Sequence, residues 1–239
     1  MGHQNKQVAI KQLGCKAYHE ACVIQEALFD EIVATKLKNR KLDTSHQKLT
    51  ANYLLFCEHP HVYTLGRSGT TSHLLASKAM LQAQDVAFYT TNRGGDITYH
   101  GPGQLVVYPI LDLENFFTDI HRYLRFLEEA VIATLEDFGL CGARMQELTG
   151  VWIDHEDGLG ARKVCAIGVR TSRWVTMHGL ALNVNTDLGY FDQIIPCGIR
   201  DKKVTSMAEL LGTQQNLQTV AQSLEQHIIR LFEMELARC

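Results

Sequence analysis

The apolar positions of this chain change period several times, and each change marks an element. Residues 7–14, QVAIKQLG, read as a first strand. From Tyr18 to Lys41 the residues Tyr18, Ala21, Cys22, Leu28, Ile32 and Val33 recur at helical steps, which predicts a long helix. Residues 52–66 read as a buried strand, a bend at Pro60 and a second short strand, and 76–84 as a short helix. The most regular helix is expected over 119–140, where Ile120, Tyr123, Leu124, Leu127, Val131, Leu135 and Phe138 form one stripe and Gly139 supplies a stop. Strands are expected at 143–154, 162–170 and 175–185, a Ser206/Glu209 capping box ahead of Gly212, and a terminal amphipathic helix over 216–237. Strands thus arrive in clusters between helices. That favours an α+β fold, a mixed or mostly antiparallel sheet flanked by helices in a single domain over 1–239, against a doubly wound one.

Two strand-like halves flank Thr171–Trp174, a length suited to a hairpin connection. With those four residues as the loop, Arg170 faces Val175 and Ala166 lies opposite Gly179. Ala166, Gly168, Gly179 and Ala181 then share one sheet face that carries almost no side chain. A bare patch on a buried sheet is filled by another backbone or by a ligand. The first gives close packing, the second a slot for a slim apolar chain.

Composition narrows the class. Hydrophobic content of 46%, 21% charged residues and a formal charge of -3 describe an ordinary globular protein. No apolar run reaches bilayer length, and the opening MGHQNKQVAIKQLG lacks the layout of a signal or transit peptide, so a cytosolic protein is expected. The cysteines, at 15, 22, 57, 141, 165, 197 and 239, form an odd, scattered set, which predicts reduced thiols and no disulfide framework. Cys57, His59 and His61 alternate as metal ligands can, but Pro60 bends the run and no further ligand is placed, so no metal is expected.

Three segments carry candidate chemistry. TTNRGGDITYHGPGQ, from Thr90, is rich in bare backbone but has neither a Walker lysine nor a dinucleotide fingerprint, so phosphate or nucleotide binding is not expected. Its glycines and Arg93 suit some other oxygen-rich group. Cys197 lies between Pro196 and Gly198 on a constrained bend, with Arg200, Lys202 and Lys203 following, a setting that favours a thiolate. Lys163 opens the strand that runs into Ala166 and Gly168. A lysine there reaches water or, as the sharper reading, stands beside a thiol, lowers its pKa and later accepts a proton.

Taken together, YTLGR (63–67), RGGDITYHGPGQLVVYPI (93–110), GVWI (150–153), KVCAIGVR (163–170), MHGLALNVN (177–185) and PCGI (196–199) resemble the lipoyl(octanoyl) transferases along most of the chain. His61 departs from the pattern, which would place a second proline there. The resemblance implies the fold of the catalytic domains of biotin and lipoate protein ligases, and transfer of an eight-carbon acyl group from octanoyl-acyl carrier protein to one lysine of a lipoyl domain. The acceptors it implies are the E2 subunits of 2-oxoacid dehydrogenases and the glycine-cleavage H protein. Cys197 matches the nucleophile that carries the acyl thioester, and Lys163 the lysine that lowers its pKa. Arg93, Gly94, Gly95, Asp96, Ile97, Thr98, Tyr99, His100, Ala166, Ile167, Gly168, Gly179, Leu180 and Ala181 match substrate-binding segments. No cofactor, membrane or nucleic acid enters, and a monomer suffices. Lys163 is the economical base for the second transfer, with His100 or His178 in reserve. Arg67, Arg93, Arg170, Arg173, Arg200, Lys202 and Lys203 are candidates for a basic rim facing acidic protein substrates. The rival readings are an ATP-dependent lipoate or biotin ligase and a non-catalytic acyl-binding module.

Overall fold

The bend at Pro60 separates two strands that join different sheets. In the computed structural model, which describes residues 4–153, 160–195 and 203–237, β2 (Tyr53–Glu58) enters a nine-stranded sheet and β3 (Val62–Leu65) a three-stranded one. The large sheet also contains β1 (Gln7–Cys15), β6 (Gln104–Ile110), β7 (Ala143–Met145), β8 (Leu148–Ile153), β9 (Arg162–Ser172), β10 (Val175–Asn183), β11 (Lys203–Val204) and β12 (Glu235–Leu236). Its order is β12-β1-β2-β6-β10-β9-β8-β7, with β11 on β9. The β12–β1, β1–β2 and β11–β9 pairs are parallel and the others antiparallel, so the sheet is mixed as expected. The small sheet sets β3 between β4 (Ala87–Thr90) and β5 (Ile97–His100).

Helices cover both faces. On one, α3 (Ile120–Asp137) packs against α5 (Leu217–Phe232), and Asp119 caps α3 by accepting the Arg122 N–H. Leu127 and Val131 are fully enclosed there, and each such side chain contributes about 1.5–3 kcal/mol. On the other face lies α1 (Tyr18–Asn39), which buries Tyr18, Ala21, Gln25, Phe29, Ile32 and Lys36 at steps of three and four. Its two polar members are used: Gln25 accepts the His178 N–H at 2.9 Å, and Lys36 pairs with Asp112. A third cluster, with Tyr63, Leu65, Leu81, Val86, Ile97, Tyr99, Phe191 and Ile194, joins the small sheet to α2 (Lys78–Ala83) and the turn Leu188–Gln193. Among the described residues no helix is long and apolar enough to cross a membrane.

Three expectations need correction, and one cause serves all. The β9–β10 connection is Arg173–Trp174 alone, both residues left-handed at φ 51° and 65°, a two-residue turn whose twist suits a hairpin. The register therefore moves by two: Ala166 faces Ala181 and Gly168 faces Gly179. Residues 143–153 are two strands, reversed at Gln146–Glu147 with Glu147 at φ 62°. The terminal helix stops at Phe232, where Glu233 at φ 51° turns the chain back into β12. Of the expected capping box the Ser206 half formed, accepting the Glu209 N–H at 3.2 Å at the start of α4 (Met207–Leu211), while Glu209 Oε2 accepts from Thr205 Oγ1 at 2.7 Å and Gly212 is left-handed at the helix end.

Candidate active site

A cavity of about 440 Å³ opens where β8 leaves β9. Pairing of the two strands ends at Val151–Cys165, and the next stretch of β9 meets the glycine-rich segment, whose Gly94 N–H donates to Val169 O at 2.9 Å. The bare hairpin face is the cavity wall. Backbone fills part of this face, since a Cβ on Gly168 would stand 2.9 Å from Gly94 O, while Ala166 and Ala181 line the cavity.

The glycine-rich segment is held as one piece with the end of β3. Arg67 and Ser68 donate their N–H groups to Arg93 O and Gly95 O at 3.0 and 3.1 Å. Gly66 leaves no room for a methyl group, which would lie 2.3 Å from Gly95 O. Arg93 is buried and directs Nη2 to Thr64 O at 2.6 Å and to Thr64 Oγ1 at 2.9 Å, with Nη1 on Gly94 O at 3.0 Å. It braces the loop from beneath and is not part of a basic rim. Asp96 closes the segment, its Oδ2 on His73 Nδ1 at 2.5 Å and its Oδ1 accepting the Ile97 N–H at 2.6 Å.

Two histidines line the cavity in neutral form. His100 donates from Nδ1 to Gln104 Oε1 at 2.8 Å, while Gln104 Nε2 donates to Asn183 Oδ1 at 2.9 Å. Burial, then the neighbouring His59 and Arg93, push its pKa down to about 3. His178 follows from a flaw in the ladder. Pro109 on β6 has no N–H to give, Thr176 Oγ1 donates to Pro109 O at 2.7 Å, and His178 adopts φ 58°. Its Nε2 lies 2.8 Å from Asn92 Oδ1 and its Nδ1 has no hydrogen-bond partner among the described residues. Burial and the charges of Arg93 and Arg170 bring its pKa to about 3 as well. Neither imidazole takes up a proton readily. Tyr18 stacks on His100 at 6.0 Å, and Tyr108 donates to His59 Nε2 at 2.7 Å.

Lys163 lies two residues before the point where β8 and β9 part, opposite Trp152 of β8. Its Nζ donates to Thr149 O at 3.2 Å and lies 4.6 Å over the Trp152 ring. Val204 of β11 pairs beside it, and the Thr205 N–H donates to Lys163 O at 2.9 Å. Cys197, Pro196, Gly198, Arg200 and Lys202 lie outside the described residues. The chain on either side of them is anchored: the Ile195 N–H donates to His73 O at 2.8 Å, and Phe191 and Val204 both line the cavity.

Lys163, Arg93 to Thr98, His100, Ala166 to Gly168 and Gly179 to Ala181 all line this one cavity. Tyr99 does not. It points the other way, fully buried, stacked on Tyr190 at 4.8 Å with its hydroxyl 2.7 Å from His61 Nδ1. Strand alternation separates it from its neighbours Thr98 and His100. Of the proposed rim, Arg67, Arg173 and Lys203 are exposed, and Arg170 leans on the Phe29 ring at 5.0 Å. Cys57 Sγ and His59 Nε2 stand 3.6 Å apart, but no metal-binding group of three or more His, Cys, Asp or Glu exists among the described residues. Sequence reasoning missed Tyr18, Gln104, Thr149 and Glu128. Glu128 carried a signal, a carboxylate on the apolar stripe of α3.

A slender apolar slot, neutral histidines and one amine at its edge suit the handling of an acyl chain. Comparison with known proteins agrees. Residues 18–229 match the family described as the lipoyl protein ligase A/B catalytic domain. The chain belongs to that family. Octanoyltransferases of Cytophaga hutchinsonii and Christiangramia forsetii are 55% and 58% identical to it, each alignment covering 97% of this chain and 95% and 98% of theirs. Among solved structures, a chain from an archaeal lipoylation system of Thermoplasma acidophilum, a bipartite lipoate protein ligase and its E2 lipoyl domain, superposes with a TM-score of 0.69 at 17% identity. That match covers 99% of this chain and 87% of the other, and it shows the shared fold. The protein is an acyltransferase of this family.

Proposed function

We propose that this acyltransferase carries an octanoyl group from the thioester of acyl carrier protein to one lysine of a lipoyl domain, through a thioester on Cys197. The acceptors are the lipoyl domains of 2-oxoacid dehydrogenase E2 subunits and the glycine-cleavage H protein, and the enzyme works as a single copy in the cytoplasm. The observation that carries the reading is the cavity itself. Its volume of about 440 Å³ lies within the roughly 300–1,000 Å³ of small-molecule sites, its wall is the Ala166–Ala181 pair, and Lys163 stands at its edge. Burying about seven methylenes at roughly 0.8 kcal/mol each stabilises a bound octanoyl chain by several kcal/mol.

In the first half-reaction the Cys197 thiolate, favoured by the Lys163 ammonium, attacks the thioester carbonyl. The bond to the carrier sulfur breaks and the carrier thiol departs with a proton from the Lys163 ammonium, which leaves that amine neutral for the second half-reaction. In the second, the acceptor amine attacks the Cys197 thioester, an amide forms and the thiolate is restored. The amine's proton needs a base. The depressed basicity of His100 and His178 disfavours both and supports Lys163. Backbone N–H groups of the glycine-rich segment are suited to hold the oxyanion. Thioester to amide is downhill, so no nucleotide enters. Exposed Arg67, Arg173 and Lys203 offer local positive charge to acidic protein substrates.

The test is incubation with octanoyl-acyl carrier protein and a lipoyl domain in the absence of nucleotide. Octanoyl-lysine should form, with a hydroxylamine-labile octanoyl adduct on Cys197 visible by intact mass. A strict requirement for ATP would overturn the reading in favour of a ligase.

A further inference from the structure

The mechanism above leaves one fully enclosed carboxylate without a task. Glu128 projects from the apolar face of α3, and its Oε2 meets Arg125 Nη1 at 2.7 Å and Arg144 Nε at 3.1 Å. These guanidinium groups offset the cost of burying it. Its other oxygen, Oε1, accepts the Gly150 N–H at 3.0 Å, beside the cavity and not at the protein surface.

We infer that Glu128 is a positioning residue for Lys163, acting through the Thr149–Gly150 peptide group. One peptide unit joins the two: its N–H is held by Glu128, and its carbonyl, on Thr149, accepts from Lys163 Nζ at 3.2 Å. In a trans peptide these groups point in opposite directions, so fixing the N–H aims the carbonyl. A charged acceptor on the N–H also polarises the amide and strengthens what its oxygen receives. The peptide has little freedom otherwise. Gly150 sits at φ 117°, and a Cβ there would stand 2.5 Å from Cys165 O. The Lys163 stem lies along the same glycine, its Cε 3.5 Å from that Cβ position. The ammonium is thus steered by a carbonyl whose direction is set from the helix behind it. The inference rests on the assignment of Lys163 to the reacting centre.

Full-length Glu128→Gln and Glu128→Ala proteins test it with two readouts. Competitive acetylation of Lys163 by acetic anhydride across pH, followed by mass spectrometry, reports the proton affinity of the amine without turnover. Among the described residues, the charged groups about that amine and its Glu128 tie are Glu128 and Arg125 from α3, Arg144 from β7 and Glu147 from the β7–β8 turn, with the neutral Cys165 thiol on β9 beside them. Glutamine keeps an acceptor for the Gly150 N–H but removes the negative charge, so the labelling midpoint should fall by about half a pH unit or more. The kcat for octanoyl transfer should fall about fivefold or more with KM for the octanoyl donor unchanged. Alanine, which also releases the peptide, should lose more. Labelling curves superimposable on wild type would overturn the inference, as would a shifted curve with an unchanged kcat. Should the alanine protein not fold, the near-isosteric glutamine protein decides the matter alone. A wild-type protein that transfers no octanoyl group would refute the proposed function, and the labelling shift would still report whether Glu128 and Lys163 are coupled.

Discussion

The slot reading makes its sharpest demand at Ala166. This residue faces its partner Ala181 across the β9–β10 pair and lines the cavity, so a larger side chain there should displace ligand before it displaces core. Ala166→Leu adds three carbons to the wall. If they take the place of about three methylenes of the acyl chain, the loss is roughly 3 × 0.8, or about 2.4 kcal/mol, on the order of 50-fold in kcat/KM for the octanoyl donor. A butanoyl donor, too short to reach the added carbons, should change by no more than about threefold. The assay is nucleotide-free transfer from octanoyl- and butanoyl-acyl carrier protein to a lipoyl domain, with thermal melting as a check on folding. Equal loss on the two donors would mean that Ala166 does not face the acyl chain, and the slot would have to be sought elsewhere.

Four further outcomes are expected. Cys197→Ser should abolish transfer and the labile adduct together, and Lys163→Arg, which keeps charge but cannot act as a base, should spare acylation of Cys197 more than transfer to lysine; stopped-flow and intact mass separate the steps. Tyr99→Phe removes a hydroxyl from His61 and should cost about 0.5–1.5 kcal/mol, lowering Tm by about 2–5 °C while leaving KM for the octanoyl donor unchanged, and a raised KM would return Tyr99 to the cavity. Stability should fall in acid: His100 and His178 have folded pKa values of about 3, below an unfolded value of about 6.5, so the unfolded chain alone binds their protons as pH drops from 6.5 towards 3. Between pH 7.5 and 5.5 this removes about 2–3 kcal/mol, and equal urea midpoints at the two values would contradict it.

Much of the fold was legible because local signals agreed with the tertiary structure. The stripe from Ile120 to Leu135 and the Gly139 stop placed α3 over 119–140, within three residues of its observed ends at Ile120 and Asp137. What escaped were reversals made by residues that do not advertise them. Glu147, Arg173, Trp174 and Glu233 all take left-handed conformations that a sequence marks with glycine or asparagine, so two hairpins and a terminal strand were misjudged there. The bare face survived because a register shift of two leaves every side chain on the same side of the sheet. Most of the cavity lining follows from the Arg93–His100 and β9–β10 segments, whereas Tyr99 could have been excluded by alternation alone. Thr149 and Glu128 reach the site only through the β8–β9 parting, a non-local arrangement that no short window contains.

The small sheet and the turn before Cys197 share a core of their own, separate from the two that enclose the large sheet. Proteins open in contiguous units at free energies below that of global unfolding. Loss of this unit would carry off Tyr190, Phe191 and the wall at Ile97–His100 while Lys163 stayed on its strand. Warmth or dilute urea would then silence the enzyme reversibly with its circular dichroism nearly intact. The working range of the catalyst would then be set by its smallest core.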